Sequence, residues 1–86
     1  MSSWVVYAGY GMNGKYNDVS QLVQTQYAGG QKSFAASNSI YGPDPDPNVV
    51  KTLYIVYATS TKNAGPGNVT LNSAATTETG QPAILP

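Results

Sequence analysis

With 86 residues and four basic against four acidic side chains, this neutral chain has room for one small domain. It has no cysteine, histidine or arginine, which excludes a disulfide framework, thiolate metal sites, the usual general base and a phosphate-gripping guanidinium. Nucleic acid is therefore not an expected partner. No apolar run approaches the ~20 residues of a membrane span, so no membrane insertion is expected. The start, Met-Ser-Ser-Trp, shows neither the basic nor the apolar part of a secretory signal. A cytoplasmic location, or export without a visible signal peptide, is the expectation.

Ser3-Trp4-Val5-Val6-Tyr7-Ala8 reads as a first strand, β-branched and aromatic. Alternation puts Trp4, Val6 and Ala8 on one face and Val5 and Tyr7 on the other. The run Gly9-Tyr10-Gly11-Met12-Asn13-Gly14-Lys15 reads as a turn or a close backbone approach, with Asn13-Gly14 as its strong turn dipeptide. Tyr16-Asn17 then leads to a helix capped by Asp18 or Ser20. Val19, Leu22, Val23 and Tyr27 follow at helical spacing, and Leu22 and Val23 are expected against a sheet. Gly29-Gly30 ends the helix after two to three turns.

Lys32-Ser33-Phe34-Ala35-Ala36-Ser37 is a weaker strand with Phe34 and Ala36 on one face. Next comes a run holding three of the chain's six prolines and two of its four acids, Ser37-Asn38-Ser39-Ile40-Tyr41-Gly42-Pro43-Asp44-Pro45-Asp46-Pro47-Asn48. Alternate prolines fix φ and remove donors, so this run is expected to be neither helix nor central strand. The strongest strand is 49–59. Both of its faces are apolar apart from Lys51, so it is expected to be central or to help form a dimer. A turn-rich loop, Thr61-Lys62-Asn63-Ala64-Gly65-Pro66-Gly67, gives a hairpin into Asn68-Val69-Thr70-Leu71-Asn72-Ser73. Asn68-Val69-Thr70 matches the glycosylation sequon. The tail is polar until Ile84-Leu85, which are expected to dock. The order β-α-β-β-β predicts an α+β fold in one domain, residues 1–86, with one short helix on one face of an antiparallel sheet.

Tyr10-Gly11 after the first strand is echoed by Tyr41-Gly42 after the second. If those strands lie side by side, both Tyr-Gly loops open at one sheet end. Asp44 and Asp46 are the only close carboxylate pair. Residues two apart in an extended loop meet the longer of the two spacings that glycosidases use, ~6.5–9.5 Å. A chain this small has little room for a water-excluding cleft, so no enzyme is expected. Alternate Asp44, Asp46 and Asn48 oxygens suit a hard cation, but the prolines prevent the tight wrap such loops need, so no metal and no cofactor are expected. The 9–14 glycines fit no phosphate-loop spacing, and the serines lack a histidine partner.

Binding remains. Seven tyrosines, one tryptophan and low charge suit neutral, hydroxyl-rich ligands, because Tyr offers a flat apolar body with a polar tip. The same residues also favour strands. Tyr10, Asn13, Asn38, Tyr41, Asp44 and Asp46 supply amides, carboxylates and rings for a sugar, while Gly11 and Gly42 expose backbone to it. Asn38 and Asp44 serve equally well to bond their own loop.

The pattern Tyr10-Gly11, Asp18-Val19-Ser20, Gly30, Ser37-Asn38, Gly42 with Asp44-Pro45 and Pro47, then Lys51-Thr52-Leu53 and Ile55-Val56-Tyr57 is similar to a small lectin family of fungi. The resemblance covers nearly the whole chain. It implies a carbohydrate-binding, non-catalytic lectin, a homodimer, that recognises galactose-containing glycans with terminal α-linked galactose, as in Galα1-4Gal. By motif position it carries over only Tyr10, Gly11, Asn38, Gly42 and Asp44. The rival expectations are a structural or protein-interaction domain whose proline loop is only a rigid turn, and, more remotely, a small glycosidase.

Overall fold

A computed structural model describes residues 2–60 and 68–86. The turn-rich loop expected at 61–67 lies outside the described residues. Strand β1 (Ser2–Met12) runs on through Gly9-Tyr10-Gly11, where the sequence predicts a turn or a close backbone approach. It reverses only at Asn13-Gly14, where φ is 55° and 79°, into β2 (Lys15–Asp18). Met12 pairs with Lys15, so the loop has two residues and needs positive φ at both. Gly11 serves a different purpose, because a Cβ there would press on the backbone of Lys15 and Tyr16.

Helix α1 (Ser20–Ala28) follows directly. Asp18 Oδ1 accepts from the Ser20 amide over 2.9 Å, although Val19, the residue at the cap, makes no side-chain bond. Ser20 Oγ accepts from the Ala8 amide at 2.9 Å, which ties the helix start to β1. Val19, Val23 and Tyr27, four apart, form the buried stripe, whereas Leu22 is 40% exposed. The stripe is one row wide because the helix lies chiefly on β1. Leu22 is thus not part of the anchor expected of it. Gly29 donates its amide to Thr25 O, and Gly30, at φ 106°, ends the helix.

Strand β3 (Ser33–Phe34) does not join the main sheet. It pairs with β6 (Ala83–Ile84) in the tail. Phe34 and Ala36 are buried together, as their alternation implied, and Leu85 docks while Ile84 stays exposed. The expectation of no helix in 37–48 fails for its first residues. Asn38–Tyr41 form one turn, α2, capped by Ser37 Oγ, which accepts from the Ser39 amide at 3.2 Å. The prolines begin only at Pro43, after a cis Gly42-Pro43 bond, so nothing removes donors from the preceding turn.

Strand β4 (Thr52–Ser60) lies between β1 and β5 (Val69–Thr77), giving an antiparallel sheet ordered β2-β1-β4-β5. The long strand is central, as its two apolar faces implied. The fold is α+β with helix α1 on one sheet face, and its element order is longer than β-α-β-β-β. The core lies on the helix side, where Ala8, Tyr10, Leu53 and Ile55 meet Val23, Phe34 and Leu85. The expected alternation in β1 breaks at Val6. The register with β4 slips between Val5 and Tyr7, so Val5 and Ala8 are both buried while Trp4, Val6 and Tyr7 are exposed. One inserted residue reverses the parity of everything before it.

Candidate functional site

The proline loop is built around Lys51, which is only 2% exposed. A buried ammonium is costly unless every donor is matched. Here its Nζ pairs with Asp44 Oδ1 at 2.8 Å and Glu78 Oε1 at 3.4 Å, and donates to the Asp46 carbonyl at 3.0 Å. The Lys51 amide donates to Glu78 Oε1 at 2.7 Å, and the Glu78 amide donates back to the Lys51 carbonyl. Glu78, in the turn that follows Thr77, therefore closes the loop against the residue before Thr52.

The remaining bonds fix the loop from its other side. The Asn17 side chain donates to the carbonyls of Tyr41 and Pro43, at 3.0 and 2.6 Å. Asp44 Oδ1 accepts from the Asp46 amide at 3.0 Å, the local turn open to an Asp at that position. Asp46 is buried, and its Oδ2 accepts from Asn13 Nδ2 at 3.1 Å, joining the loop to the β1–β2 turn. Lys15 lies 3.8 Å from its other oxygen.

The two Tyr-Gly segments do meet, although not through neighbouring strands. β1 pairs with β2 and β4, while the segment before α2 pairs with β6. The rings of Tyr10 and Tyr41 lie 5.6 Å apart in the core. The Tyr10 hydroxyl donates to Asn38 Oδ1 at 2.6 Å, and Asn38 Nδ2 donates to Asp44 Oδ2 at 3.2 Å. A polar chain thus runs Tyr10, Asn38, Asp44, Lys51, Glu78.

Charge is set firmly along that chain. Burial, and then the Glu78 carboxylate, push the Tyr10 phenol up to about 12. The bond from Lys51 holds Asp44 below the ordinary carboxylate range. The Lys51 amide, chiefly, does the same for Glu78. Burial alone would lower Lys51, but its bonds to Asp44 and Glu78 outweigh that and raise it. Near neutral pH the network therefore holds two carboxylates, one ammonium and a neutral phenol.

Of the eight residues singled out in the sequence, Tyr10, Asn13, Asn38, Tyr41, Asp44 and Asp46 belong to this assembly. Gly11 is buried in the hairpin, and Gly42 is exposed at the cis bond. Tyr10 and Tyr41 are inside rather than on the surface. What remains outward is a depression of about 360 Å³, lined among others by Asn38, Asp44, Asn48, Val50, Glu78 and Thr79. Lys51 and Glu78 were not among the site residues read from sequence. Lys51 had a signal, as the one charge in an apolar run. Glu78 had none, because only the β4–β5 pairing brings it there.

Among the described residues no group of three or more acidic side chains is placed to hold a metal ion. No helix among them is long and apolar enough to cross a membrane. A second concentration of aromatic surface lies on the sheet face away from α1, where Trp4, Tyr7, Tyr16 and Tyr54 are exposed. The Tyr16 and Tyr54 rings are 6.1 Å apart. No family model matches the chain, and no curated protein or solved structure matches it either.

Proposed function

We propose that this chain is a non-catalytic carbohydrate-binding domain that takes terminal α-linked galactose, of the Galα1-4Gal type, in the depression beside the proline loop. One observation carries the reading: Asp44 and Glu78, charged and held by buried Lys51, converge there with Asn38, which Tyr10 and Asp44 hold. A sugar is gripped by acceptors that do not move or titrate in the working range, because ordering them beforehand removes part of the entropy cost of binding. Asp44 Oδ2 and the Asn38 amide supply an acceptor and donor side by side, the arrangement that vicinal hydroxyls match. With Tyr10 and Tyr41 in the core, Val49 and Val50 offer the apolar rim. A homodimer fits this reading, since paired weak sites gain avidity.

The test is a glycan array followed by calorimetry on Asn38→Ala and Asp44→Asn. Both variants should keep the wild-type circular dichroism and lose at least about tenfold in affinity, about 1.4 kcal/mol. An array with no bound glycan removes the lectin reading. Unchanged affinity in both variants moves the site elsewhere. A second reading, a protein-interaction domain with a rigid loop, draws on the internal pairing of the network, in which no buried side-chain polar atom lacks a partner. A blank array from a folded protein would favour it.

A further inference from the structure

The two edges of the main sheet are unlike. The β2 edge is four residues long and carries Lys15 and Asp18 at its ends. The β5 edge is nine residues long, Val-Thr-Leu-Asn-Ser-Ala-Ala-Thr-Thr, and contains no charge and no proline. Sheet edges left open in solution are normally blunted by charge, proline, a bulge or brevity. β5 has none of these, and its register with β4 is unbroken from Ser60–Val69 to Thr52–Thr77. Among the described residues no strand pairs with its outer side. Val69 and Leu71 on the same strand are 57% and 67% exposed.

We infer that β5 pairs antiparallel with β5 of a second copy, so that two four-stranded sheets become one of eight strands. The occupant follows from the chemistry of the edge. A strand edge with no strand beside it is satisfied by another extended strand, although the Thr70 and Thr77 carbonyls already accept from the Asn72 side chain and the Gly80 amide. A strand without charge meets itself across a two-fold axis with no like-charge repulsion. The register follows from parity. Centring the axis on Ser73 overlaps all nine residues, with Val69 beside Thr77 of the second copy and Leu71 beside Ala75. It also keeps both helix-bearing faces on one side, whereas a slip of one residue would turn the second sheet over. Leu71, stranded on the surface of one copy, then has Ala75 of the second copy as its cross-strand neighbour on the same sheet face. A consequence rests on the proposed glycan site: the two depressions, each next to the Thr77 end of β5, are carried to opposite ends of the new strand pair. Eight residue steps lead from Val69 to Thr77, about 27 Å along the strand, which suits two separate glycan ends.

Sedimentation equilibrium without sugar tests the pairing and is blind to whether glycans bind. Wild type should have twice the 9.0 kDa chain mass. Ser73→Lys sets two ammonium groups opposite each other at the axis and should give the single-chain mass, with circular dichroism unchanged. Tyr54→Lys, one strand inward on the same face, should remain paired. A wild type of single-chain mass overturns the inference, as does a Ser73→Lys that stays paired. Dissociation of both variants also overturns it, because the contact is then face to face.

Discussion

Replacing Tyr10 by Phe removes one hydroxyl from the core and leaves the ring. That hydroxyl donates to Asn38 Oδ1 over 2.6 Å. A neutral hydrogen bond contributes about 1 kcal/mol net, and Asn38 is exposed, so water replaces the lost donor. Near neutral pH the variant should therefore be less stable by about 1 kcal/mol, or about 4–8 °C in Tm for a domain of this size. Alkaline pH makes the test sharper. Burial and the nearby Glu78 carboxylate push the phenol from its ordinary 10.0 up to about 12. A value raised on folding gives stability that is whole below pH 10 and lost as pH rises through 12, because the unfolded chain ionises first. In full that shift corresponds to about 2.7 kcal/mol, and solvent screening at the edge of the loop reduces it to about half. The wild-type advantage should then shrink above pH 10 and vanish near pH 12. Every other side chain is shared by the two proteins, so the difference between them isolates Tyr10. Urea unfolding followed by far-ultraviolet circular dichroism across that range measures the gap. A gap that stays constant with pH would refute the coupling between Tyr10 and its neighbours.

Two further outcomes follow from the same network and core. Asp44 and Glu78 are held low by the Lys51 side chain and amide, so their contribution is present above the ordinary carboxylate range and lost as pH falls through the lowered values. Lys51→Gln should raise the midpoint of acid unfolding toward that ordinary range, read by circular dichroism, and an unmoved midpoint would show that Lys51 does not hold the carboxylates. Leu53, with no exposed surface, should cost about 2–5 kcal/mol as Leu53→Ala, while Leu22→Ala on the outer side of α1 should stay within about 0.5 kcal/mol. Comparable losses in chemical denaturation would mean that α1 packs through a different face.

Much of the fold was legible because local chemistry decided it. Asn13-Gly14 made its turn, Gly29-Gly30 ended the helix, and the apolar run 49–59 supplied most of the central strand, Thr52–Ser60. The misses at β2 and in β1 share one cause, which is partners distant in sequence. β2 was hidden because Lys15-Tyr16-Asn17-Asp18 has little strand character of its own and takes it from pairing with β1. α2 has a local cause: Pro43 stands two residues after Tyr41, and the proline run masks the Ser37 cap that starts the turn. The bulge at Val6 has no marker in the residues themselves, yet it decides which β1 side chains are buried.

The proline loop divides along the same line. Sequence alone determined that 43–47 is stiff, since a proline ring fixes φ whatever surrounds it, and that its acids were the ones to watch. Only the tertiary structure decided what they face. Lys51, next to the loop, and Glu78, far along the chain, meet because β4 and β5 pair in a register that brings Thr52 beside Thr77. That pairing turns Asp44 toward a buried ammonium, leaves Asp46 holding the hairpin turn through Asn13, and puts the rings of Tyr10 and Tyr41 inside. A charge finds its partner through space, and spacing along the chain does not record that distance.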